Sequence, residues 1–274
     1  MMVEALVYFF VPALVGVLIG IASGLLGIGG GTVMVPIFRL AFGMSATMST
    51  ATSLFAIIPT SISGAISHVK GKTCIPALGI AAGLGGACMS PIGVWLAQLS
   101  PDWLVMLAAA LIIGYSAINM FKKAFKISRA CQPVAGADAA APTADDSSLS
   151  RKRLLQGAAI GLVAGLASGY VGVGGGFIMV PLMLSIIGIP MRKASGTSLI
   201  AVMILAIPGV IEQGIIGNIN YLAGIAIVIG TIPGAVIGAR LVTKVPERTL
   251  RLLFGCFLIV AAVMLVLNEV GIFG

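Results

Sequence analysis

Charged side chains are scarce in this sequence. They make up 9% of the 274 residues, whereas hydrophobic residues make up 59% and the mean hydropathy is +1.16. An ordinary soluble domain carries about 25% charged residues. A water-soluble fold does not fit this composition, and nearly every stretch between polar breaks reaches the roughly 20 residues that a membrane crossing needs. We predict an all-α polytopic membrane protein.

Clusters of cysteine and histidine are also missing. The four cysteines lie far apart, at Cys74, Cys88, Cys131 and Cys256, and His68 is the single histidine. This spacing argues against a metal site and a disulfide framework. No nucleophile–base pair occurs, and no phosphate loop is followed by lysine. We therefore predict no catalytic residue, no cofactor and no metal, and we expect His68 to be a loop residue.

Glycine, in contrast, is concentrated in a motif that occurs twice. Gly27-Ile-Gly-Gly-Gly31 is repeated as Gly172-Val-Gly-Gly-Gly176. Each interior glycine costs a helix about 1 kcal/mol relative to alanine, so both runs predict a break between two apolar arms. Backbone released from a helix in a membrane must be buried in protein or line a cavity, and repeated broken helices are typical of binding sites in secondary transporters. Glycines that merely allow close helix packing are the alternative.

The motif belongs to an internal duplication. Pairing each residue with the one 145 positions later matches 27 of the 83 positions from Gly20 to Asp102, including the triplets Thr52-Ser53-Leu54 and Thr197-Ser198-Leu199. A polar stretch flanked by basic residues separates the copies and is typical of a flexible linker. The predicted parts are a first transmembrane repeat at 1–126, a flexible cytoplasmic linker at 127–150 and a second transmembrane repeat at 151–274.

The basic residues do not follow the duplication, and they predict the topology. We place the linker in the cytoplasm and compare two arrangements. If each half crosses the membrane an odd number of times, 15 of the 16 Lys and Arg residues, all except Arg39, lie on the cytoplasmic side. If each half crosses an even number of times, only 9 of the 16 lie there. Basic residues are enriched in cytoplasmic loops. We therefore predict two homologous inverted repeats, each with a Gly-rich broken-helix hairpin plus three transmembrane helices, and both termini outside.

The glycine runs and nearby hydroxyl groups form a predicted anion site. Backbone N–H groups at a helix start bind anions, aided by the helix dipole, and hydroxyl donors suit a tetrahedral or pyramidal oxyanion. The predicted substrate-binding residues are Gly29, Gly30, Gly31, Thr52, Ser53, Gly174, Gly175, Gly176, Thr197, Ser198 and Arg39. The hydroxyls could instead bond to their own helix, and Arg39 could snorkel to headgroups. Glu212 is either a proton-coupling carboxylate or a solvated group at a helix end.

The repeated pattern that ends in Val35-Pro36 and in Val180-Pro181 resembles the TauE/SafE family of sulfite and organosulfonate exporters. The resemblance covers both halves. It implies a permease of the bacterial or archaeal inner membrane that exports sulfite, sulfoacetate or a related sulfur-containing anion, driven by the proton gradient. The family's usual count of eight helices, four per half, differs from the odd number that the charges favour. The expected partners are the small anion and the lipid bilayer, without nucleic acid; a homo-oligomer is left open.

Two other functions stay open on the sequence alone. An anion channel would use the glycine hairpins as a continuous filter. A membrane enzyme, or a thiol-dependent uptake protein for sulfur compounds, would use Cys74, Cys88 and Cys256.

The topology is testable with single cysteines in a cysteine-free background, at Gly71, Ala140, Arg192 and Pro246. Inverted repeats place all four positions in the cytoplasm, so an impermeant maleimide should label them only after the membrane is permeabilised. If Arg192→Cys and Pro246→Cys are labelled from outside while the other two stay protected, the repeats are parallel.

Overall fold

The computed structural model describes residues 2–130 and 151–269 of the chain. The first half contains helices α1 (Met2–Leu26), α2 (Gly31–Phe42), α3 (Ala46–Lys70), α4 (Pro76–Leu99) and α5 (Asp102–Ala130). The second half contains α6 (Arg151–Val171), α7 (Gly176–Leu182, continued by a π-helical turn at Met183–Ile187), α8 (Met191–Ile216), α9 (Tyr221–Leu241) and α10 (Glu247–Glu269). The described residues include no strand, and the all-α prediction is confirmed. Of the predicted linker, 127–130 belong to α5 and 131–150 lie outside the described residues.

Seven helices of the described chain are long and apolar enough to cross a membrane. They are α3, α4, α5, α6, α8, α9 and α10. Three shorter apolar helical stretches flank the glycine runs, at Pro12–Leu26, Gly31–Phe42 and Gly176–Ile187. At about 20 residues per crossing, this is the helix content of a multi-pass membrane protein.

Both glycine runs break a helix by turning the backbone into the left-handed region. In the first run Gly27, Gly29 and Gly30 have φ angles of 75, 80 and 86°. Their counterparts Gly172, Gly174 and Gly175 have angles of 72, 89 and 63°. Only glycine adopts this conformation without steric cost, so these residue types determine where α1 and α6 end.

The helix pairs with the most extensive contacts each join one helix of the first half to one helix of the second half. Helix α1 lies along α9, α4 lies along α6, α3 crosses α8, and α5 packs against α10. A β-carbon on Gly161 of α6 would collide with the carbonyl oxygen of Ala82 on α4, and one on Gly230 of α9 with that of Ala13 on α1. Small residues allow such close approach of membrane helices, so glycine sets the spacing of both pairs.

The glycine contacts also give the relative directions of the paired helices. Gly64 of α3 lies against Leu199 of α8. A β-carbon on Gly209 of α8 would lie 3.6 Å from Leu54 of α3, after closer contacts with α4, so α3 and α8 run antiparallel. The α1–α9 and α4–α6 pairs run parallel, because their contacts follow the same order along both helices. On α1 and α9, the contacting residues are Gly16 with Ile227, Gly20 with Thr231 and Gly24 with Ala235. On α6 and α4, they are Gly157 with Leu78, Gly161 with Ala82 and Gly165 with Gly86.

An acidic residue at the start of each half's last helix caps the helix two elements earlier. Asp102 accepts hydrogen bonds from the N–H of Ala46 and the hydroxyl of Thr47, both at 3.3 Å. Glu247 accepts one from the N–H of Met191, also at 3.3 Å. Negative charge is favourable at a helix N-terminus, so equivalent acidic residues hold α5 to α3 and α10 to α8.

The close α4–α6 packing can be tested with Gly161→Ala. The added methyl group meets the backbone of α4, and overpacking of this kind costs about 1–3 kcal/mol. We expect a lower melting temperature in detergent. The matched control is Gly114→Ala in α5, where a β-carbon meets nothing within 4 Å and alanine favours the helix. Equal melting temperatures for the two variants would contradict the packing described here.

Candidate functional site

The two glycine loops, residues 27–31 and 172–176, meet inside the bundle. A β-carbon on Gly31 would collide with the carbonyl oxygen of Val173, and one on Gly176 would lie 2.5 Å from that of Gly27. Every residue of both loops is buried. The structure therefore brings together the two glycine sets that the sequence predicts as an anion site, and it leaves no room for a side chain where they touch.

Ile57 of α3 lies at the junction of the loops. Its side chain would be 3.3 Å from a β-carbon on Gly29, 2.6 Å from one on Gly31 and 2.8 Å from one on Gly174. Val202, the counterpart of Ile57 on α8, would be 3.0 Å from the β-carbon on Gly29. Ile57 is the twelfth of the 25 residues of α3, so the junction lies level with the middle of a membrane-spanning helix.

Thr52 and Thr197 each accept a hydrogen bond from the opposite half. The N–H of Asn220, just before α9, donates to the Thr52 hydroxyl at 3.0 Å. The N–H of Ile75, just before α4, donates to the Thr197 hydroxyl at 2.9 Å. These donors are themselves 145 residues apart, so the two bonds are equivalent. Both hydroxyls join the halves, and their part in anion binding stays a prediction.

The two serines of the triplets differ in their surroundings. The Ser198 hydroxyl lies 2.7 Å from the carbonyl oxygen of Gly27 and 2.8 Å from that of Ser195, so it contacts the first glycine loop. The Ser53 hydroxyl is fully buried and has no hydrogen-bond partner within the described chain. Of the predicted hydroxyls, Ser198 is thus the one with a hydrogen bond to a glycine loop.

Arg39 lies in the last turn of α2 and is half-buried. It follows Gly31 by eight residues, which at 1.5 Å per residue places it about 12 Å along the helix from the loop. The structure does not bring Arg39 to the glycine junction. A role at the entrance to the site stays a prediction.

Comparison with known proteins gives the family. Residues 12–265 match the family of the sulfite exporter TauE/SafE. The chain belongs to the TauE/SafE family. It is 27% identical to the probable membrane transporter protein YunE of Bacillus subtilis, over 97% of this chain and 99% of the relative. It is 28% identical to YdhB of the same organism (87% and 92% covered) and 29% identical to a probable membrane transporter protein of Haemophilus influenzae (93% and 97%).

No solved structure matches this TauE/SafE chain. The family and the names of the relatives point to a membrane transporter rather than an enzyme. Within the described residues, no group of three or more His, Cys, Asp or Glu side chains could hold a metal ion. Cys74 lies just before α4, while Cys88 on α4 and Cys256 on α10 are exposed free thiols.

His68 is not a loop residue, and that prediction was wrong. It lies in the last turn of α3 and is fully buried. Its Nε2 is 2.8 Å from the carbonyl oxygen of Gly24 on α1, and its Nδ1 is 2.7 Å from the Thr73 hydroxyl. Because both ring nitrogens have partners, the imidazole is buried without an unpaired polar group.

The signal that could have placed His68 is the duplication itself. Its counterpart is Gln213, which is also buried, and the counterpart of Thr73 is Asn218. The Asn218 amide donates to Gln213 Oε1 at 2.9 Å. A polar pair therefore occupies the same place in both halves. Glu212 beside it is half-buried on α8, and its Oε2 has no hydrogen-bond partner within the described chain.

Thr197→Val tests whether the threonine joins the halves. Valine has nearly the same shape but leaves the N–H of Ile75 unpaired, which costs about 1–3 kcal/mol when the group is buried. We expect a lower melting temperature of the purified TauE/SafE protein. Thr197→Ser keeps the hydroxyl and should remain near the wild type. A valine variant as stable as the serine variant would contradict this role.

Proposed function

We propose that this protein is a secondary carrier that exports a small sulfur-containing anion, such as sulfite or an organosulfonate, across the inner membrane in exchange with protons. The observation that carries the proposal is the meeting of two equivalent glycine loops near the middle of the bundle. Broken helices that meet at this depth are the usual site of substrate binding in secondary transporters. The family match to a sulfite exporter supports sulfur as the cargo.

The helix directions support the inverted arrangement that the basic residues predict. Helix α3 and its counterpart α8 run antiparallel across each other. Equivalent helices can be antiparallel only if the axis that relates them is perpendicular to their length, and for spanning helices that axis lies in the membrane plane. The parallel α1–α9 and α4–α6 pairs agree with it, since they join non-equivalent helices. We therefore propose inverted repeats with the linker in the cytoplasm.

In this proposal the anion binds at the loop junction. The backbone that approaches the anion comes from Gly29, Gly30 and Gly31 and from Gly174, Gly175 and Gly176. The hydroxyls near this depth of the membrane are those of Thr52 and Ser53 on α3 and of Thr197 and Ser198 on α8. Arg39, farther along α2, attracts anions toward the site through its positive charge. The burial of both loops corresponds to a closed conformation, which must open to one side of the membrane at a time.

Proton coupling in the proposal uses two titratable side chains of spanning helices, His68 and Glu212. His68 is buried in the last turn of α3, and Glu212 is half-buried on α8. Titratable groups inside a membrane are costly and mark ion or proton pathways.

The experiment is flux of labelled sulfite, sulfoacetate and sulfate in vesicles reconstituted with the purified protein. A carrier gives flux that saturates with concentration and depends on an imposed pH gradient. Flux that neither saturates nor responds to the gradient would indicate a channel. Flux that disappears in a variant with all four cysteines replaced by serine would favour the thiol-dependent alternative.

Gly30→Ala and Gly175→Ala test the loops in the same vesicles. Both residues have positive φ. A β-carbon would press against Ile19 of α1 at Gly30 and against the carbonyl of Ala164 of α6 at Gly175, and it would strain the backbone of the loop. We expect transport to be lost while the protein remains folded.

The matched controls are Gly43→Ala and Gly188→Ala, at equivalent helix ends with φ of 60 and 75°. A β-carbon at either position meets nothing within 4 Å, so these variants carry comparable backbone strain away from the loops. They should transport normally. If all four variants transport alike, the anion does not bind at the glycine junction.

A further inference from the structure

Several hydroxyl groups in the bundle are buried without a hydrogen-bond partner. All seven residues are 0% exposed; within the described chain they are Ser23, Thr32, Ser49, Ser53, Ser61, Ser90 and Ser168. A helical serine or threonine normally bonds to the carbonyl one turn earlier, as Thr60 does with Ala56 at 2.8 Å. An unpaired buried polar group in a native protein calls for an explanation such as a missing ligand.

Two of these hydroxyls belong to side chains that border the first glycine loop. The Ser61 Oγ, on α3 one turn after Ile57, lies 3.5 Å from a β-carbon built on Gly29. The Ser23 Cβ, in the last turn of α1, lies 3.6 Å from one built on Gly30. Two side chains with unpaired hydroxyls, from α1 and from α3, therefore border the loop at Gly30 and at Gly29.

The second loop does not reproduce this set. Ser23 has the counterpart Ser168, whose Cβ lies 3.4 Å from a β-carbon on Gly175. The counterpart of Ser61 is Ala206, and that of Thr32 is Phe177. The fold is duplicated here, but the hydroxyl donors are concentrated in the first half.

The two loops also differ in the N–H group of their last glycine, Gly31 in the first loop and Gly176 in the second. In the second loop the N–H of Gly176 donates to the carbonyl of Gly174 at 2.7 Å. The N–H of Gly31 has no such bond among the described residues. Gly31 is the first residue of the 12-residue helix α2, and its N-cap Gly30 supplies no side-chain cap. A free N–H at a helix start favours an anion.

We propose that within this junction the donors to the anion lie beside the first loop, namely the Gly31 N–H and the hydroxyls of Ser23 and Ser61, while the second loop contributes backbone that closes the junction; this rests on the proposed transport function. The three donors match the three oxygens of a singly charged –SO₃⁻ head group, as in a sulfonate or hydrogensulfite. Sulfate would bring a fourth oxygen and a second charge, and burial of charge is costly. The second loop then serves as a matching surface and not as a second site.

The test uses Ser23→Ala and Ser61→Ala, each compared with Ser168→Ala. All three variants remove an unpaired hydroxyl, so none loses an internal hydrogen bond, and their melting temperatures without ligand should equal that of the wild type. Methanesulfonate raises the melting temperature of a protein that binds it. We expect this shift for the wild type and for Ser168→Ala, and a Kd raised about tenfold or more in the other two, as loss of one hydrogen bond to an anion predicts.

Methanesulfonate binding by these variants also shows which results would contradict the proposal. Equal weakening by Ser23→Ala and Ser168→Ala would mean that both loops share the anion, which overturns the proposal, as would unchanged binding in the Ser61→Ala variant. Binding of sulfate as tight as that of methanesulfonate would overturn the choice of head group. Absence of any shift or flux with every sulfur oxyanion in the wild type would instead refute the proposed function itself.

Discussion

Unpaired backbone groups are too costly to face lipid, and this constraint determines where the glycine loops can lie. Each loop interrupts a helix in an apolar chain, so its N–H and C=O groups must be enclosed by protein. The structure encloses them by bringing the loops together at the α3–α8 crossing, around Ile57. All residues of both loops are buried there, and the adjoining helices α1 and α6 pack closely against α9 and α4.

Neither half can complete this enclosure alone. Thr52 accepts the N–H that precedes α9, and Thr197 accepts the N–H that precedes α4, so each half supplies an acceptor for an otherwise unpaired donor of the other. The Ser198 hydroxyl likewise reaches the carbonyl of Gly27 across the interface. Through these bonds, α3 and α8 each contact elements of the opposite half.

The sequence predicts the helical class, the duplication and the glycine breaks, because these depend on composition and on local backbone cost. It does not predict which groups the triplet threonines meet, since an offset of 145 identifies equivalent residues but not contacts between opposite halves. The burial of His68 was missed for a different reason: its partner Gly24 lies in the same half but 44 residues earlier, on another helix. The neighbouring lysines indicated a solvated loop, but the ring nitrogens find partners inside the protein.

Duplication of the backbone and divergence of the side chains would meet different requirements of the proposed carrier. In that proposal, inverted halves let the same hairpin movement open the junction toward either side of the membrane, which requires equivalent helices and loops but not equivalent side chains. Two equally good anion sites at one closed junction would place like charges within a few ångströms in a medium of low dielectric constant, where their repulsion is strong. In the proposed site, donors beside one loop, with Ala206 and Phe177 in place of Ser61 and Thr32 at the other, are compatible with a symmetric movement and with the binding of a single anion.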